Sequence, residues 1–325
     1  MMRVLGLIIF WFFGSILHLW SVGAISHCSF PSNSLLSRAA VVVYLLAVVG
    51  IVAFSKQHSR AFLISLLFFL IVAFWFISIS PKTNAVYPPE VTMPYAEING
   101  NAITVHNVRN CEYRTREDFD VHYETRTYDL QDLETCDVYL NYWGMDLVAH
   151  VFLSFGFADG RYLAVSVESR REVGEPYDEL RGFFKQYELI YVWGDERDLV
   201  RTRTNYRGEN VYLYRSTFQP EQVRKLFMSM ITTTNELYQK PRFYNSLAHN
   251  CTNTLAEHII KTGIYKIPIW KRRILTGSVD RRLYEEGLLP TDRPFADLRR
   301  EANIDARAKA ADKSRRFSQK IRTHL

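Results

Sequence analysis

The first 80 residues contain no Asp or Glu and only four basic side chains, Arg3, Arg38, Lys56 and Arg60, with apolar runs between them. A stretch so poor in charge must be buried in lipid or protein. Three spans follow, roughly 4–23, 39–55 and 61–80. At ~1.5 Å per residue the outer two cross a ~30 Å hydrocarbon layer, and the middle one is slightly short, which a thin bilayer accommodates. The first span also has the form of a cleaved secretory signal, with Arg3 ahead of it and Val22-Gly23-Ala24 behind. Two further spans favour an anchor. Cys28 makes a poor lipid-attachment cysteine, because His27 stands where a small residue is wanted. Lys56, His58 and Arg60 lie between the second and third spans, so that loop belongs in the cytoplasm and everything after residue 80 outside it. In a bacterium this means an inner-membrane anchor, residues 1–80, and a domain in the periplasm.

Beyond residue 80 the charge is close to balanced, and the imbalance that exists is local. Residues 81–298 carry 27 basic and 31 acidic side chains, whereas 299–325 carry nine and three. Two alternatives stand for this basic tail: a solvated helix with a frayed end, or attraction to anionic lipid headgroups. Nucleic acid is an improbable partner for a domain outside the cell. Prolines 81, 88, 89 and 94 describe a linker over 81–94. Asn99-Gly100 marks a hairpin, 107–135 is a charged excursion, and Val138–Trp143 reads as a strand. So do Tyr187–Trp193 and Asn210–Arg215, while Gln219-Pro220-Glu221 opens a helix through Leu226, Met230 and Leu237. Strands interspersed with helices make this an α+β domain over 95–298.

The register of one hairpin can be argued from its apolar alternation. Around Ala158-Asp159-Gly160, a three-residue loop with Gly160 in the left-handed position sets Phe157 opposite Arg161. Val151 then meets Val167, Leu153 meets Val165 and Phe155 meets Leu163, an unbroken apolar face. The other face sets His150 opposite Glu168, with Cβ atoms ~5 Å apart, so a carboxylate can hold one imidazole nitrogen. On an exposed strand such a pair is a weak surface contact.

The second chemical feature is Cys251, which sits at the entrance of an amphipathic helix carrying Leu255, Ile259 and Ile260, with Asn250 as its cap. Free N–H groups and the helix dipole lower a thiol pKa there, which favours the nucleophilic thiolate. The alternative is a buried core cysteine. His249 is a rival base, but it is close in sequence and points away, and His258 lies two turns along the helix in a structural position. In an oxidising compartment Cys111 and Cys136 are able to pair. No metal-ligand spacing and no phosphate-binding loop is present, so no cofactor is implied.

The order of sheet histidine, carboxylate and then helix cysteine reverses that of ordinary papain-like enzymes and resembles the circularly permuted NlpC/papain-like group, with its antiparallel sheet. The runs His150–Phe157, Val167–Glu172, Arg201–Gly208 and Tyr244–Asn253 resemble more closely the Lnb periplasmic domain, over roughly 95–295. Members of that family are implicated in lipoprotein N-acylation by a thiol mechanism, though the best-known ones also carry membrane segments behind the domain. The resemblance implies Cys251 as nucleophile and His150 as base, with Glu168 orienting the base on the register argument too. Asn250 or Tyr244 would add an oxyanion donor, and Arg170 a contact to a phosphate headgroup or merely surface charge. The implied activity moves an acyl chain from phospholipid to an amine such as a lipoprotein N-terminus, at the bilayer. A cysteine amidase or peptidase acting on envelope material and a non-catalytic envelope scaffold are the alternatives.

Overall fold

A computed structural model of the protein describes residues 2–28, 34–81, 88–143, 148–172, 178–265 and 276–325, the side chains of 2–10 and of Thr276 excepted. The chain forms two compact units: residues 1–83 with 176–187, and 84–175 with 188–325.

The first unit holds three helices, α1 (Met2–Cys28), α2 (Leu35–Phe54) and α3 (His58–Ser78). Both α2 and α3 are long and apolar enough to cross a membrane. The expected shortness of the middle span is corrected. Ser34 caps α2 by accepting from Ser37 N at 3.1 Å, which starts the helix four residues before the apolar run and gives it 20 residues, ~30 Å of rise. Ala24, Ile25, Tyr44, Val48 and Val72 form the centre of this unit. The excursion 178–187 belongs here as well, which the charge pattern did not foretell. Phe184 packs at Gly23, where a Cβ would lie 2.2 Å from its ring. Lys185 Nζ donates to the carbonyls of Phe76 (2.7 Å), Ile77 (3.2 Å) and Ile79 (3.1 Å) at the C-terminal end of α3, where an ammonium suits the helix dipole.

The second unit is a mixed α+β domain. Its sheet holds β1 (Tyr95–Asn99), β2 (Ala102–Arg109), β5 (Tyr123–Asp129), β6 (Leu133–Tyr142), β7 (Ala149–Phe157), β8 (Tyr162–Arg170), β9 (Glu188–Gly194) and β10 (Asn210–Arg215). The order is β1-β2-β9-β8-β7-β6-β10, with β5 also on β2. All neighbours run antiparallel except β2 and β9, which meet in parallel at Arg109 and Gly194. The strands β3 (Glu112–Tyr113) and β4 (Phe119–Asp120) form a separate small ribbon. The excursion expected over 107–135 is thus largely structured: Arg114, Arg116, Glu117, Asp118 and Asp120 are exposed in and between β3 and β4, whereas Glu124 and Arg126 are half-buried on β5 and Arg109 is buried at the end of β2.

Every residue of β7 is buried, as a strand covered on both faces must be. On one side α5 (Pro220–Gln239) and α6 (Cys251–Lys261) supply Phe227, 5.1 Å from the Phe155 ring, and Leu255. After α4 (Glu196–Arg201) and α7 (Val279–Glu285) come α8 (Phe295–Ala302), α9 (Asp305–Ala310) and α10 (Phe317–Lys320). The last three correct the expected tail. Ile304, Ala308, Ala311, Phe317 and Ile321 pack on Tyr139, Phe152, Val200, Val211 and Leu213 in one buried cluster. Arg322, 6% exposed, donates to Asp137 (2.7 Å) and to both oxygens of Glu196 (2.7 and 2.5 Å). Residues 299–325 are therefore part of the domain, held by apolar burial and by acids 126 and 185 residues earlier in the chain.

The linker is corrected in the same way from residue 88 onwards. Arg170, expected at a headgroup or on the surface, is buried and donates to Glu90 O (2.8 Å), Val91 O (2.6 Å) and Glu188 Oε2 (2.8 Å), so its guanidinium is spent on clamping this segment to the sheet. Cys111 and Cys136 are both buried and free rather than paired. Burial first, then the nearby Asp198 carboxylate, pushes the Cys111 thiol up to about 12. Burial likewise drives Cys136 well above the ordinary thiol range.

Candidate active site

The hairpin β7–β8 adopts the expected register. Leu153 pairs with Val165 and Phe155 with Leu163. Phe157 N donates to Arg161 O at 3.0 Å, and Gly160 takes φ +79°, the left-handed conformation that glycine adopts without Cβ strain. His150 and Glu168 then face each other across the strands, with His150 Nε2 3.3 Å from Glu168 Oε1.

Ser166 stands between them. Its Oγ is 2.6 Å from His150 Nε2 and donates to Glu168 Oε1 at 2.7 Å. A hydroxyl has one proton, so having given it to the carboxylate, Ser166 accepts from His150 Nε2–H. This fixes Nε2 as a protonated donor. Arg203 completes the support: Nη2 donates to Glu168 Oε1 (2.7 Å), Nη1 to Leu199 O (2.7 Å), and the guanidinium lies 4.9 Å from the Phe152 ring centre. It is carried by a π-helical turn, Thr202–Tyr206, directly after α4, a rare geometry that recurs at functional sites.

Cys251 is the first residue of α6, and Asn250 caps that helix as expected, its Oδ1 accepting from Asn253 N at 2.8 Å. The Cys251 thiol lies near the His150 ring and the Val151 backbone N–H, both of which favour its charged form. Thr252 Oγ1 lies 3.9 Å from Sγ. Burial is the largest single effect and raises the thiol pKa, yet the adjacent His150, the Val151 N–H and Thr252 together offset it and the pKa falls. His150 is the mirror case. Burial lowers its pKa, the Glu168 carboxylate and the Cys251 thiolate raise it, and the outcome is about 9. Glu168 is held well below the usual carboxylate range, against burial, by His150, Arg203 and Ser166. Both shifts favour the thiolate–imidazolium form of the pair.

Cys251, His150 and Glu168 thus come together from β7, β8 and α6. Arg170 belongs elsewhere, and Asn250 is committed to the helix entrance, with Nδ2 donating to Ser246 O at 2.9 Å. Tyr244 is buried in the segment ahead of α6. His249 is exposed. His258 is buried between Tyr191 Oη (2.9 Å) and Ser229 Oγ (2.8 Å), and its pKa is lowered to about 4, chiefly by burial. It is structural, as its distance along the helix implied. Strand alternation puts Ser166 on the Glu168 face and could have revealed it. Arg203 had only its place in the Arg201–Gly208 run.

Beside the nucleophile lies an apolar hollow. Val138, Val151 and Leu153 from the sheet and Leu255, Ala256 and Ile259 from α6 line it, with α7 opposite. Thr252 and Val151, which touch the thiol, belong to its wall.

The sheet and α6 of this α+β domain thus set a thiol, an imidazole and a carboxylate side by side. Residues 119–273, which contain all of these groups, match the family model described as the Lnb N-terminal periplasmic domain, and this part of the chain belongs to that family. With the apolar helices α2 and α3, the match makes the protein a membrane-associated one with a periplasmic domain. Neither the curated proteins nor the solved structures yield a significant match.

Proposed function

We propose that the protein is a thiol acyltransferase, anchored in the bacterial inner membrane by three transmembrane helices including α1, with a circularly permuted papain-like domain in the periplasm. The observation that carries this reading is the Cys251–His150–Glu168 cluster, in which His150 lies near the thiol and is held by Ser166 and Glu168. Cys251 Sγ attacks an ester carbonyl of a phospholipid. Backbone N–H groups of the first turn of α6, unpaired within the helix, receive the oxyanion, with Tyr244 as a further donor. His150 passes its proton to the leaving alcohol, and a thioester remains. An amine, such as a lipoprotein N-terminus, then attacks the thioester, His150 takes up its proton, and the thiolate is restored. The hollow beside the thiol supports an acyl donor over a polar peptidoglycan one, since its sheet wall is buried and apolar.

Purified full-length protein incubated with acyl-labelled phospholipid should carry label on Cys251, removable by hydroxylamine and transferred to a diacylated lipopeptide amine. Label released only as free acid, or cleavage of peptidoglycan fragments, would favour a hydrolase. For the topology, alkaline phosphatase fused after residue 95 should be active, and a silent fusion would overturn the periplasmic placement.

A further inference from the structure

The hollow beside Cys251 has a direction and an end. His150 pairs with Asn141, Leu153 with Val138 and Phe155 with Cys136 across β6 and β7. The wall therefore runs from Val151, whose N–H meets the thiol, past Leu153, towards the level of Cys136. Just beyond that level Ser216 N donates to Cys136 O (3.0 Å) and Thr217 N to Leu288 O (3.1 Å), which brings Phe218 and Leu288 to the same end of the hollow. Four strand residues at ~3.3 Å each give a run of about 13 Å from nucleophile to end.

Along α6 the lining recurs at Thr252, Leu255, Ala256 and Ile259, the spacing of one helix face. Val138, Val151 and Leu153 are 3–4% exposed, whereas Tyr265, Arg282 and Glu286 at the rim are only partly buried, with Tyr265 Oη donating to Glu286. The hollow itself measures about 70 Å³, and about 780 Å³ when the open solvent at its mouth is counted. Protein interiors are otherwise close-packed, and an apolar trough whose wall includes Thr252, the neighbour of the nucleophile, fits a chain that enters while covalently attached.

We infer that this trough between α6, α7 and the β6–β7 face is an acyl-chain slot that receives the hydrocarbon tail of the Cys251 thioester, and that Phe218 and Leu288 limit the chain length it takes. The inference rests on the acyltransferase reading. The thioester forms as Sγ bonds the acyl carbon and the ester C–O bond breaks, with His150 protonating the departing oxygen. The tail then follows α6 for ~10 Å, the rise from Thr252 to Ile259. Ala256 is the narrowest side chain on that path, so enlarging it obstructs the tail and leaves the thiol untouched.

The test uses full-length protein in detergent with p-nitrophenyl butanoate, decanoate and hexadecanoate, following acylation of Cys251 by intact mass. In Ala256→Phe the ratio of decanoate to butanoate rates should fall at least tenfold, while Phe218→Ala should raise the ratio of hexadecanoate to decanoate. A diazirine-bearing decanoyl ester gives a second measurement that needs no variant: once on Cys251, its photocrosslinks should fall on Leu153, Leu255, Ile259 or Leu283. Failure of every ester to acylate the wild-type thiol would overturn the acyltransferase reading. Acylation with unchanged ratios in Ala256→Phe, or crosslinks confined to residues outside the trough, would overturn the slot alone.

Discussion

Two buried ionic clusters flank the same sheet, and they differ in what they leave unfinished. Around Arg322, the acids Asp137 and Glu196 are fully buried, and Arg215, Tyr139 and Ser318 O complete the network, with the Tyr162 ring 3.5 Å from the guanidinium carbon. Every charge there ends on another fixed group. Around His150 the chain of contacts runs from Arg203 through Glu168 and Ser166 to the imidazole, then ends on a sulfur beside an apolar hollow. The first arrangement holds the C-terminal helices to the sheet. The second holds a proton and a nucleophile ready, so buried charge alone does not mark a reactive site; an unfinished end does.

The comparison can be broken most severely at its two ends. Cys251→Ala should abolish acyl transfer and leave the melting temperature close to wild type, while Arg322→Ala should cost about 3–5 kcal/mol by stranding the buried Glu196 carboxylate and leaving Asp137 to Arg215 alone. Thermal melts and thioester formation measured on both variants check the separation; a Cys251→Ala protein that retains full transfer would move the chemistry elsewhere. His150→Ala should lose nearly as much activity as Cys251→Ala.

Glu168→Gln comes next, with a loss of ~10- to 10⁴-fold, since an orienting carboxylate both positions the imidazole and favours its charged form. Its kinetics should show a fall in kcat with KM little changed. Arg203→Ala should cost less, because Arg203 acts on His150 only through Glu168, and a loss as large as that of Cys251→Ala would contradict its positioning role. Asn250→Ala should remove a cap worth ~1 kcal/mol, visible in the denaturant midpoint.

The pH dependence follows from the raised His150 pKa. A group whose pKa rises on folding stabilises the fold fully below its unfolded value, near 6.5, and this contribution is lost as pH rises through about 9. The stability difference between wild type and His150→Ala should therefore shrink between pH 7 and 10.

What could be read from the sequence followed from local periodicity. The β7–β8 register was legible because one-residue slippage would have buried His150 and Glu168 among apolar side chains, and Gly160 marked the loop. The entrance of α6 was legible from Asn250 and the spacing of Leu255 and Ile259. Features built by distant partners were not: Arg170 meets Glu90 and Val91, 80 residues earlier, and Arg322 meets Asp137. The C-terminal helices are short and alanine-rich, so they show little apolar periodicity, and their burial depends on Phe317 and Ile321 finding Phe152. The π-helical turn that carries Arg203 has no sequence signature of its own.

The most direct test is the pH profile of Cys251 alkylation by iodoacetamide in the native full-length protein, read by peptide mass against His150→Ala. The account predicts labelling that persists well below the ~8.5 of a free thiol, and a midpoint that moves to higher pH when the imidazole is removed. An unreactive Cys251 at neutral pH, or one midpoint shared by both proteins, would contradict it.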